Sequence, residues 1–195
     1  MLARCQRGHL TGRQLRELSA LLAQCPDEPF RPDDTTLQFI EDVPFRRTLS
    51  VDIASAHRAL ANAEWKAATV LAGSVIEALC LWAIGRASAD VAVQTADRLQ
   101  RTGLLGRRAI PRDVLQWHAP ELIEVAFALE FLDSDAAQVA RTTREYRNLI
   151  HPGREIRTGQ QCTEGVAHVA IGAMQRVVEC LHSRQLRNWN PRVQA

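Results

Sequence analysis

The sequence predicts an all-α fold, an antiparallel bundle of about five or six helices preceded by an N-terminal arm. Three observations predict it. The 195 residues are 46% hydrophobic but only 5% aromatic, and alanine, leucine and valine carry most of that apolar share, which favours helix over sheet. Apolar residues recur every three or four positions over several long stretches. Capping residues, glycines and prolines punctuate those stretches where helices would begin and end. The length suits one hydrophobic core.

Taken in order, Leu15, Leu18 and Leu21 or Leu22 behind Thr11 predict a short helix over 12–24. Residues 25–50 hold Pro26, Pro32 and Pro44, which argue for an extended connector, so residues 1–49 are expected to form a helix and arm. The bundle is then expected over 50–186, with a tail at 187–195. Ile53, Ala56 and Leu60 mark a helix from Ser50 to Asn62. The next, from about Glu64 to Ile84, is apolar nearly all round, the pattern of a helix central in the core. A polar helical piece follows around Ala89–Gln100, among Gly85, Gly103, Gly106 and Pro111. Pro120 suits the first turn of Glu121–Phe131. Ser134 after Asp133 is a candidate cap for a helix running to Ile150, which Pro152-Gly153 would stop. A last helix fits Thr163 to about Leu186, with Val166, Val169, Ala170, Ala173, Val177 and Leu181 as its stripe.

Basic and acidic residues nearly balance at a formal net charge of +2, so any polyanion must be bound locally rather than drawn in by an overall field. Five cysteines form no C-x-x-C pair, which fits a reduced, cytoplasmic setting. The N-terminus has no apolar leader, and no stretch approaches the ~20 apolar residues of a membrane span. His9, His57, His118, His168 and His182 have no ligand spacing, and no nucleotide-binding glycine motif or nucleophile elbow occurs. No metal and no cofactor is expected.

Chemistry concentrates in Arg144-Glu-Tyr-Arg-Asn-Leu-Ile-His-Pro-Gly-Arg154. On a continuous helix, Arg147 would lie about 40° from His151 around the axis, Arg144 about 20° on the other side and Asn148 about 60° away. The four would share a face about 100° from a core stripe of Ala136, Val139, Thr143, Tyr146 and Ile150. Leu149 would point elsewhere, under the following loop or into a contact. His151 would sit at a helix C-terminus, whose dipole favours imidazolium. A titratable histidine beside arginine forks is what metal-free phosphodiester cleavage requires. Glu77, the only acid between Trp65 and Asp90, needs a partner if buried, and Arg147 or Arg144 is the candidate. Arg154 and Arg157 read as solvated loop residues, Arg154 in a supporting role at most.

The segment also resembles the signature of HEPN domains, an arginine followed after four to six residues by histidine, often with a polar residue beside the arginine. Arg144 stands six residues before His151 and fits; Arg147-Asn148 supplies the arginine–polar pair but stands only three residues before it. Either arginine could be the critical one. The apolar run Ala67–Leu79 and the segment Trp117–Ala126 are similar to bacterial HEPN-like proteins as well, so the resemblance spans roughly residues 50–185. It implies a HEPN-like bundle that forms a homodimer pooling two histidines. It also implies either a metal-independent endoribonuclease of a toxin–antitoxin or phage-defence system, or an inactive module that binds a nucleotide, RNA or protein. Arg144, Arg147, Asn148 and His151 would be catalytic, with Glu77 and Arg154 supporting. The implied partners are RNA or a nucleotide, and a cognate antitoxin or defence protein.

Overall fold

A computed structural model describes residues 37–185. The helix expected over 12–24 and the tail from 187 lie outside the described residues. Within them the chain forms seven α-helices and two 3₁₀ turns, with no strand: α1 (Val43–Ala61), α2 (Trp65–Ile84), α3 (Ala89–Arg101), α4 (Ala119–Ala128), α5 (Ser134–Arg147), α6 (Pro152–Thr158) and α7 (Glu164–Gln185). The fold is an all-α helical bundle.

The apolar α2 is its axis. It packs most extensively against α7 and α1, and also against α4 and α5, burying Val75, Ile76, Leu79, Cys80 and Ile84. Among the described residues it is the helix long and apolar enough to cross a bilayer, against the expectation that no stretch comes near that length. Four helices enclose it here.

One boundary and one buried face differ from expectation. The first bundle helix begins at Val43 rather than Ser50, because Pro44 falls in its first turn, where no backbone N–H is needed. Asp42 caps it, accepting a hydrogen bond from the Phe45 amide at 3.0 Å. On α7, Ala167, Ile171, Met174 and Val178 are buried beside the expected Ala170, Ala173, Val177 and Leu181, while Val169 is exposed.

The larger correction is at residues 147–152. α5 ends at Arg147, Asn148–Ile150 form a 3₁₀ turn, and Pro152 opens α6 rather than ending a helix. Proline holds the residue before it in extended backbone and is itself preorganised for a first helical position; His151 accordingly has φ −83° and ψ 114°. The buried face of α5 is Ala136, Ala137, Ala140 and Thr143. Of the expected stripe, Val139 and Tyr146 are only half-buried and Ile150 is exposed. Leu149 is fully buried within the chain's own fold.

Candidate functional site

Arg147 continues the true core stripe of α5, one turn beyond Thr143, and so runs toward α2. It can do so because Gly73 stands opposite: a Cβ there would come within 2.7 Å of Arg147 Cδ. The arginine stem lies along the bare helix backbone, and its Nη1 reaches Glu77 Oε1 at 3.1 Å. Arg147 is thus the partner of Glu77, one of the two that the sequence offered. Burial pushes the Glu77 carboxyl above the ordinary glutamate range, and the positive charges of Arg147 and His118 only partly offset it.

Around this pair opens a cavity of about 560 Å³. Its walls come from α2 (Glu77), from the C-terminal turn of α5 (Arg144, Glu145, Arg147) with Asn148 beyond it, and from Arg154 on α6. The entry to α4 (Trp117–Pro120) and Arg108 complete it. Glu145 is clamped between Arg144 and Arg154, the latter at 2.9 Å. Arg144, and with it Arg154, holds the Glu145 carboxyl below its ordinary range despite some burial. Lys66 on α2 pairs with Glu155 at 3.0 Å, which fastens α6 alongside.

Polar atoms here are left over. The Nε groups of Arg144, Arg147 and Arg154 are buried and find no acceptor in the protein, and Glu77 Oε1, though ion-paired with Arg147, is buried and receives no hydrogen bond. Buried donors without acceptors cost about 1–3 kcal/mol each. A ligand bringing several oxygens would meet that demand where the side chains turn these donors toward the cavity.

Of the residues singled out in the sequence, Arg144, Arg147, Asn148, Arg154 and Glu77 come together at this cavity. Arg154 belongs to a helix and faces the site, not a solvated loop. His151 is exposed and is not among the residues lining the cavity. The helical phase that would have joined it to the arginines is lost in the 3₁₀ turn, and it stands ahead of α6 rather than at the C-terminus of a long helix.

No protein-family model, curated protein or solved structure matches the chain. The site's reading therefore rests on its own chemistry.

The cavity also holds residues that sequence reasoning passed over: Arg108, Trp117, Glu145 and above all His118. His118 precedes α4, and its backbone N–H donates to Glu121 Oε2 at 3.0 Å. The only local signal was Trp117-His118-Ala119-Pro120, a helix entry with proline in the first turn. What makes His118 a site residue is its approach to Glu77, which sequence spacing does not encode.

Proposed function

We propose that this cavity binds a phosphate group of an RNA or nucleotide, as in a HEPN-like module. The observation that carries the reading is the convergence on one cavity of Arg144, Arg147 and Arg154, each with a buried Nε lacking an acceptor. Guanidinium forks match phosphate oxygens in geometry as well as charge. The test is binding of a fluorescent single-stranded oligoribonucleotide by the full chain. Arg144→Gln and Arg154→Gln should each weaken it about tenfold, the worth of one charge-assisted hydrogen bond. Unchanged affinity in both variants would refute the reading.

A second reading, metal-independent RNA cleavage, is favoured by the presence of a histidine in the same cavity. The ribose 2′-oxygen would give its proton to a base and attack phosphorus. The bond from phosphorus to the 5′-oxygen would break, and that oxygen would take a proton, leaving a 2′,3′-cyclic phosphate and a 5′-hydroxyl. Cleavage should survive EDTA and spare DNA, which lacks the nucleophile. For His151 to take part, a second copy of the chain must bring it to the cavity. Mixed His151→Ala and Arg144→Ala proteins should then recover activity that neither has alone, and the chain should scatter light as a dimer. A cognate antitoxin or defence protein would be a further partner. The free thiols Cys80, Cys162 and Cys180 fit a reducing, cytoplasmic setting.

A further inference from the structure

We propose that His118 is the proton-bearing ligand of this cavity, its imidazolium sharing a bound phosphodiester with Arg144 and Arg147 beside Glu77. The inference rests on the phosphate-binding reading above and adds which histidine serves it. The backbone of His118 is fixed from both sides, and its side chain is exposed. Trp117 before it is buried, its Nε1 donating to the Pro111 carbonyl at 2.7 Å. Ala119 after it is buried, and Glu121 holds its backbone N–H. The anchored backbone sets where the imidazole begins, at the rim of the cavity.

The charges around His118 give the proton a role. The cavity wall that His118 shares carries Glu77 from α2, Arg144, Glu145 and Arg147 from α5, Arg154 from α6 and Arg108 from the connection before α4, while Glu121 lies on the helix that His118 enters. Of the two glutamates in the cavity wall, Glu145 is held by Arg144 and Arg154, and Glu77 by Arg147. An anion in the cavity gains from each cation near it. Proton and phosphodiester therefore favour one another's binding, by the reciprocity that governs any two coupled ligands. Imidazole is the side chain that ordinarily changes charge in the relevant range.

The test uses a 2′-O-methyl oligoribonucleotide, whose phosphodiesters keep their charge between pH 6 and 8 and whose blocked 2′-oxygen prevents cleavage. Its affinity for the full-length chain is measured by fluorescence anisotropy at both pH values. Wild type should bind about fivefold or more tightly at pH 6, within the ~tenfold per pH unit that one coupled proton allows. His118→Gln should bind at pH 8 nearly as wild type does and lose the difference, to within about twofold. His168→Gln, on an exposed face of α7, controls for removal of a histidine. A pH difference that survives in His118→Gln but vanishes in Glu77→Gln or His151→Gln overturns the inference, as does wild-type binding that is independent of pH. Those results leave phosphate binding standing. Absence of binding by wild type at either pH sinks both.

Discussion

Gly73→Ala tests the contact on which the site is built. The new methyl would lie 2.7 Å from Arg147 Cδ and 3.1 Å from its Cβ and Cγ. Turning the arginine side chain away relieves the Cδ and Cγ contacts but gives up its pair with Glu77, and keeping it in place forces α2 and α5 apart, so most of the strain comes from the stem and only a small part from Cβ. Overpacking of this kind costs about 2–3 kcal/mol, and alanine returns about 1 kcal/mol over glycine in a helix interior. The net expectation is a loss of about 1–2 kcal/mol. On an Arg147→Ala background only the Cβ contact remains, and the same substitution should be neutral or stabilising by up to about 1 kcal/mol. The coupling between the two positions is then about 2 kcal/mol, well above the ~0.5 kcal/mol of independent sites. Urea unfolding followed by helical circular dichroism, at one protein concentration for all four proteins, measures it. If Gly73→Ala alone stabilises the protein, or the coupling falls below about 0.5 kcal/mol, the arginine stem does not lie over Gly73 and the cavity is built otherwise.

Glu77→Ala should cost about 1–2 kcal/mol rather than the several of a fully buried broken pair, because the Glu77 and Arg147 side chains keep 21% and 33% of their exposure; denaturant midpoints would show it. Because the folded Glu77 carboxyl is raised, chiefly by burial, its ionisation opposes folding. The penalty is absent below the ordinary glutamate range and complete above the raised value, so wild type should lose stability relative to Glu77→Gln as pH rises through that window. Asp133 behaves oppositely. Burial pushes its carboxyl up, but the Ala136 amide at 2.8 Å and Arg176 more than offset this, so its contribution is present above the ordinary carboxylate range and lost as pH falls through the depressed value. Asp133→Ala should cost about 1–2 kcal/mol at neutral pH, as a lost helix cap plus an ion pair, seen as a lower melting temperature. Arg141 grips both oxygens of Glu124 at 2.6 and 2.7 Å, joining α5 to α4. Arg141→Lys should lose about 1 kcal/mol, since an ammonium cannot make the paired contact; equal stability in urea would show that the fork adds nothing.

The apolar core helix was legible because α2 is apolar nearly all round, a pattern that has few solutions other than burial. The arginine cluster was legible because its members are close in sequence. What failed was phase. Large apolar residues, Val139, Tyr146 and Ile150, suggested where α5 faces the core, whereas the buried face is made of Ala136, Ala137, Ala140 and Thr143. Small side chains mark the line along which α5 approaches its neighbours closely, and hydrophobic size points to the rim instead. Pro152 reads in the sequence as a stop, but its fixed φ equally begins a helix. That one reading placed His151 on the arginine face. His118 could not be found this way, since it joins the site only when the entry to α4 packs beside Glu77, some forty positions earlier in the chain.

The ion pairs set the terms on which any anion can enter. Arg147 is engaged by Glu77, and Glu145 is shared by Arg144 and Arg154, so a phosphate does not meet bare positive charge. It meets guanidinium groups that each have one Nη atom committed to a glutamate. Entry is therefore an exchange: a ligand oxygen takes the unused donors, and the glutamates either share their arginines or yield them. An exchange of ion pairs releases fewer counterions than neutralisation of phosphates by free cations, so affinity should fall with salt less steeply than a count of four arginines implies. Removing a glutamate frees its arginines. Glu145→Gln, which leaves the backbone of α5 untouched, should tighten oligoribonucleotide binding and steepen its salt dependence by about one unit of slope for each arginine released.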